Sequence, residues 1–168
     1  LSESVLEKAS HIKLMQLWSS GYDKFNTKDT KKFGIPVSNN GGANAISVAE
    51  HTILLMLSVY KWLPDSHKRT VTGTWAGNSH GIDMFLLNKK SLGIIGFGNI
   101  GRAVARMAAG FGMEILYYDI ARAPEEIEAQ TGAKFTDLDT LLTNSDIVTL
   151  HMHLNESTDG MIGRDQIA

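Results

Sequence analysis

The stretch from Gly93 to Asp119, GIIGFGNIGRAVARMAAGFGMEILYYD, leaves this chain little choice of fold. Leu92, Ile94 and Ile95 form a short apolar run that reads as a buried strand, and the glycines at 96, 98 and 101 follow it directly. A helix of small residues comes next. A second apolar run, Ile115 to Tyr118, then closes on an acidic residue, Asp119. A bare G-x-G-x-x-G is weak evidence, but strand, turn, helix, strand and an acidic residue within ~20 positions make up the half of a dinucleotide-binding unit that holds a pyrophosphate and a ribose.

Each glycine has a separate reason. Gly96 lets the chain turn sharply off the strand, Gly98 leaves the backbone bare for a phosphate, and Gly101 lets the helix lie close to the sheet. Phe97 sits inside the turn, and Asn99 and Ile100 open the helix, whose unpaired N–H groups and positive dipole end suit a diphosphate. Asp119 can accept hydrogen bonds from a ribose diol, and its charge repels a 2′-phosphate, which favours NAD over NADP. Arg122, close behind it, leaves NADP open.

Composition narrows the class. Over 168 residues the chain is 43% hydrophobic and 20% charged, with a net charge of −2. Acid and base are interspersed, so nothing points to nucleic acid or an anionic membrane. The one basic cluster, Lys24 to Lys32, alternates with Asp23 and Asp29 and reads as a solvated helix face. No apolar run approaches the ~20 residues of a membrane span. The absence of cysteine removes disulfides, thiol catalysis and thiolate metal sites, and a cytoplasmic location is expected.

Along the chain, Ile12 to Trp18 predicts a strand entering the turn Ser19-Ser20-Gly21. Asn26 or Thr27 caps a helix through Phe33, Gly34 ends it, and Ile35-Pro36-Val37 starts a second strand. Asn39 to Gly42 is a loop and a candidate domain junction. A long helix is expected from Ala45 to Leu63, capped by Asn44, with Val48, Ile53, Leu54, Leu57 and Trp62 on its apolar face and Pro64 as its stop. Residues 70–88 read as irregular, with Trp75 as a packing anchor. From Ser91, strands and helices alternate, with helices expected at 100–109, 124–130 and 137–143. Four parallel strands result, in the order 3-2-1-4, the last running from Ile147 to His151.

Two other patterns carry less. His151 and His153 lie on one side of an extended segment, but no third ligand completes a metal site. Glu50 and His51 point about 100° apart on a helix and do not form an acid–base couple.

Four blocks, SSGYDKFN (19–26), FGIPVSNNGGANAISVAEHTILLML (33–57), KSLGIIGFGNIGRAVARMAAGFGMEILYYD (90–119) and LLTNSDIVTLHMHLNESTDGMIG (141–163), together resemble the D-isomer-specific 2-hydroxyacid dehydrogenases. The resemblance implies an α/β fold: a Rossmann-type doubly wound parallel sheet, present in part, with part of a flavodoxin-like substrate domain. It implies residues 1–42 as partial substrate domain and 43–168 as linking helix plus partial NAD-binding domain. It also implies hydride transfer between NAD and a D-2-hydroxy or 2-oxo acid, and a homodimer through about 45–90. By the same resemblance Ser20 and Gly21 offer backbone amides to the substrate, with Ser20 also near the nicotinamide. Gly96, Phe97, Gly98, Asn99, Ile100, Gly101 and Asp119 hold the cofactor, and His151 and Met152 flank its adenosine. Ser19, Asn26 and His153 depart from the usual Gly, Asp and Pro.

The family's catalytic Arg, Glu and His fall beyond these residues, and none of the six histidines here stands in that position. The chain therefore reads as an internal fragment or a truncated product, with no catalytic residue of its own. A non-catalytic NAD(H) sensor or corepressor on the same scaffold, or an inactive truncation product, stands as the alternative.

Overall fold

The computed structural model describes residues 3–8, 11–22, 25–74 and 84–167, and Trp75 lies outside them. The chain divides into two compact units, Leu1–Asn44 and Ala45–Ala168.

The first unit is small. Helix α1 (Glu3–Lys8) buries Leu6 completely. Strands β1 (Met15–Gln16) and β2 (Val37–Ser38) pair in parallel around helix α2 (Thr27–Lys32). Asn26 caps α2 by accepting from the Lys28 amide, and Gly34 follows at φ 65°. Strand β1 is much shorter than the apolar run Ile12–Trp18 suggests, and β2 begins at Val37 and not at Ile35. Pro36 has no N–H to give, so it joins the ladder only through its carbonyl, which accepts from Met15 at 2.9 Å. The ladder ends one step later, where Leu17 donates to Ser38 at 2.8 Å.

The second unit opens with α3 (Ala45–Tyr60) and α4 (Leu63–Val71). The single helix expected from Ala45 to Leu63 is two helices. The chain breaks at Trp62, in the left-handed region at φ 51°, and Pro64 sits in the first turn of α4. A proline lacks the N–H that a first turn leaves unpaired anyway, so Pro64 starts a helix here and does not stop one. Helix also continues to Val71, into the stretch read as irregular. The expected apolar face of α3 is corrected as well. Its buried stripe is Ala45, Ala49, Ile53 and Met56, while Leu54 and Trp62 stay exposed. The stripe packs against α5 (Asn99–Ala109), whose Ala105 and Ala108 belong to the same buried cluster as Ala49, Ile53 and Met56.

Strands β3 (Ser91–Ile95), β4 (Glu114–Tyr118), β5 (Ala133–Phe135) and β6 (Ile147–Leu150) form one parallel sheet ordered β5-β4-β3-β6, the expected 3-2-1-4 arrangement. Helices α6 (Glu125–Thr131) and α7 (Leu138–Asn144) make the later crossovers, and α8 (Arg164–Ile167) ends the described chain. Central strand β3 buries Leu92, Ile94 and Ile95. Its neighbouring residues show both faces covered. A Cβ on Gly93 would lie 2.5 Å from Leu141 of α7, and Ile94 lies under Gly101 of α5. Successive strand residues point to opposite faces, so α5 and α7 sandwich the sheet.

Asp146 ties the far end of the sheet together. It accepts from the Lys90 ammonium at 2.6 Å, the Ser91 amide at 2.9 Å and the Ser91 hydroxyl at 3.0 Å. These partners, Lys90 first, hold its carboxyl down at about 2. A depressed carboxylate stabilises the fold above its unfolded value of 3.8, and that contribution disappears as pH falls towards about 2. Asp146→Asn is expected to flatten the loss of thermal stability between those two pH values. Parallel acid melts of the two proteins check this.

Candidate nucleotide site

Three strands end together. β3 gives way at Gly96, whose N–H donates to the Tyr118 carbonyl at the end of β4 (2.9 Å). On the other side, His151 just past β6 donates to the Ile95 carbonyl at 2.7 Å. The order of the sheet reverses between these neighbours, and such a switch point opens a crevice above the carboxyl ends of the strands. Gly96 has φ 93°, and a Cβ there would stand 2.6 Å from the Met152 nitrogen and 2.7 Å from the His151 carbonyl carbon. No other residue fits that position. The His151–Met152 peptide is therefore one wall of the turn.

Phe97 turns inward. Its ring is buried and stacks on Tyr117 with centroids 3.9 Å apart, its N–H donates to an Asp119 oxygen at 2.6 Å, and its carbonyl accepts from Arg102 Nε at 2.9 Å. Gly98 differs from both other glycines of the turn. A Cβ on Gly98 would meet no protein atom within 4 Å, whereas one on Gly101 would stand 2.2 Å from the Gly96 carbonyl oxygen. Packing thus accounts for Gly96 and Gly101 and leaves Gly98 unexplained by the protein itself. Gly98 is the N-cap of α5 and offers no side chain to the first turn, which begins with Asn99 and Ile100. Bare backbone, unpaired first-turn amides and open space in front of them fit a diphosphate.

Asp119 directly follows β4. One carboxylate oxygen accepts from Phe97 N–H and the other from Ile120 N–H at 2.7 Å. Each oxygen keeps a second acceptor direction, enough for the two hydroxyls of a ribose. The hydrogen bond to Phe97 went unread in the sequence. It makes Asp119 a brace of the glycine turn as well as a ribose acceptor.

Arg122 is paired with Glu128. Its Nε and Nη2 donate to the two oxygens of Glu128 at 2.9 and 2.8 Å. The fork from Arg122, then the Tyr117 hydroxyl, hold the Glu128 carboxyl at about 2. Tyr117 in turn accepts from the Ala123 amide at 2.8 Å, and its burial pushes the phenol up. Nothing in the sequence alone singled out Glu128.

His151 shares a hydrogen bond of 2.9 Å between its Nε2 and the Thr149 hydroxyl, and burial lowers its affinity for a proton. Its ring lines a groove of about 470 Å³ with Val48, Thr52 and Met56 of α3. Ser20 and Gly21 belong to the first unit. There Asn39 Nδ2 donates to the Ser20 carbonyl at 2.7 Å, and the Ser19 hydroxyl donates to the Gly21 carbonyl at 2.6 Å. Asn39, read from the sequence only as the start of a loop, thus fixes this turn. Among the described residues no three His, Asp or Glu side chains gather to hold a metal, and no helix is long and apolar enough to cross a membrane.

Comparison with known proteins agrees with this geometry. Residues 53–168 match the family described as D-isomer specific 2-hydroxyacid dehydrogenase, NAD binding domain. A glyoxylate reductase of Thermococcus litoralis is 36% identical, over 99% of this chain and 52% of its own length. A D-3-phosphoglycerate dehydrogenase of Archaeoglobus fulgidus is 35% identical, over 96% of this chain and 30% of its own. Among solved structures, D-lactate dehydrogenase from Aquifex aeolicus, complexed with NAD and lactic acid, superposes with a TM-score of 0.84 at 35% identity. The match covers 99% of this chain and 49% of that one. The chain spans about half the length of the glyoxylate reductase it matches.

Proposed function

This chain belongs to the D-isomer-specific 2-hydroxyacid dehydrogenases, and we propose that it is the NAD-holding part of an oxidoreductase acting on the CH–OH group of a D-2-hydroxy acid. The observation that carries the reading is Gly98, a glycine that the packing of the protein does not require, placed at the mouth of a helix. In this reading the amides of Gly98, Asn99 and Ile100 hold the diphosphate, and Asp119 holds the adenosine ribose. Gly96 and Gly101 shape the turn, with Phe97 locking it from below. The His151–Met152 segment flanks the adenosine. Ser20 and Gly21 present amides to the substrate carboxylate. Residues 1–42 then serve the substrate, and 43–168 serve the cofactor.

Bound NAD supplies the hydride acceptor, and the protein supplies position and charge. NAD is preferred to NADP because the Asp119 carboxylate stands where a 2′-phosphate would add a second negative charge. No acid–base residue is assigned among these residues. Titration with NADH tests the proposal. Saturable enhancement of nicotinamide fluorescence, without turnover of any 2-oxo acid by this chain alone, is expected. Absence of binding refutes the cofactor site, and turnover by this chain alone shows that an acid–base group does lie among these residues.

The partner expected within this reading is a second copy, joined through about 45–90. Its support is apolar surface: Ile46, Leu54, Leu55 and Val59 of α3 are about half exposed or more, and Leu63 of α4 is 49% exposed. Val59→Lys, at the most exposed of these α3 positions, is expected to shift a sedimenting dimer to monomer. A monomer before substitution, at micromolar concentration, contradicts the dimer.

A further inference from the structure

We propose that Glu128 is a positioning residue for cofactor selection, holding Arg122 away from the ribose 2′ position so that the site offers a 2′-phosphate no cation from this strand end. The inference rests on the NAD reading of Gly98 and Asp119 given above.

Arg122 follows Asp119 by three residues, on the segment past β4 where a 2′-phosphate would seek a positive charge. An arginine so placed ordinarily welcomes that phosphate. Here its planar fork is already filled by a carboxylate, Nε on one oxygen at 2.9 Å and Nη2 on the other at 2.8 Å. Bidentate pairs of this kind are the strong, orientation-fixing ones. The Arg122 side chain is 60% exposed and the Glu128 side chain 13%, so the anion is the fixed member and the cation the one that would swing free.

Glu128 is fixed for a reason that reaches the site. Its Oε1 also accepts from the Tyr117 hydroxyl at 2.6 Å. Tyr117 is fully buried and stacks on Phe97, inside the glycine turn. The clamp on Arg122 is thereby keyed to the element that carries the diphosphate. Its charge arithmetic is simple. Glu128 cancels Arg122, and Asp119 is left as a net negative charge beside the ribose. Glu125 also lies close enough to act on Arg122. A role limited to fastening the segment between β4 and α6 would leave cofactor preference alone when Glu128 is changed. Steering Arg122 would not.

The test uses Glu128→Gln, which keeps the size of the side chain and an acceptor for the Tyr117 hydroxyl while dropping the charge that clamps Arg122. NADH and NADPH are titrated separately by nicotinamide fluorescence against the unsubstituted protein, E128Q, and R122A/E128Q. Freed to reach a phosphate, Arg122 gains a charge-assisted contact, so E128Q is expected to bind NADPH about tenfold more tightly. NADH affinity is expected to stay within about twofold, and the double substitution to cancel the gain. An unchanged NADPH-to-NADH ratio overturns the inference, and so does an equal gain without Arg122. If E128Q does not fold, R122K carries the test, because an ammonium cannot fork over both carboxylate oxygens. NADPH must then gain in the same direction, and no gain overturns the inference. Failure of the unsubstituted protein to bind NADH overturns the NAD reading and this inference together. Binding with an unmoved ratio overturns this inference alone.

Discussion

Gly98→Ala is expected to leave the fold standing and to weaken NADH binding by about two orders of magnitude, whereas Gly101→Ala, three positions on, is expected to damage the fold itself. The asymmetry comes from what each added methyl meets. At 98 it meets no protein atom within 4 Å, so the apo protein loses only the modest advantage of glycine over alanine at an N-cap, under about 1 kcal/mol. The same methyl fills the space in front of the first-turn amides. Overpacking there costs about 1–3 kcal/mol, which at the upper end is roughly 100-fold in affinity. At 101 the methyl lands 2.2 Å from the Gly96 carbonyl oxygen, a backbone atom that cannot step aside without moving β3. A fall in melting temperature of roughly 10 °C is expected. Calorimetry and an NADH titration on both variants check the pair. Equal losses of stability would show that Gly98 is as structural as Gly101.

Asp119→Ala is expected to cost NADH affinity about 10- to 100-fold, the range of one hydrogen bond to a charged acceptor made in the complex. The loss has two sources. The ribose loses its acceptor, and the Phe97 amide, now bonded to Asp119 at 2.6 Å, loses the brace that sets the turn. Asp119→Asn separates them. An asparagine can still accept from Phe97 through its one oxygen, so the turn survives, and the remaining loss reports the ribose together with the Ile120 amide, which loses its acceptor. Titration of both variants with NADH is the measurement. Affinity within twofold of the unsubstituted protein in Asp119→Ala would remove the carboxylate from the site.

The second unit was legible because its signals are local. Glycines at 96 and 101 are demanded by positive φ and by a backbone clash, constraints that act over a few residues and leave a spacing in the sequence. Alternating apolar runs and caps then set the strand order. The first unit was less legible, since Ile12–Trp18 looks like a long strand and only its pairing with Pro36–Ser38 limits it to Met15–Gln16. Pro64 misled because the same residue suits the end of one helix and the first turn of another. The choice was made by the left-handed turn at Trp62. On α3 the hydrophobic pattern marked Leu54 and Trp62, which stay exposed, while the buried stripe runs through Ala45, Ala49, Ile53 and Met56, set by which side of the helix faces α5. In the site, the glycine turn and Asp119 were readable. The bond from Phe97 to Asp119 and the fork from Arg122 to Glu128 were not, because both depend on tertiary geometry that no spacing rule encodes.

Amide chemical-shift mapping during a titration with NAD addresses the site most directly. The backbone signals of Gly98, Asn99 and Ile100 are expected to move most, with those of Phe97 and Ile120 following as Asp119 takes up the ribose. Saturating NAD that left these amides unmoved, or moved only residues along the groove between α3 and β6, would contradict the account.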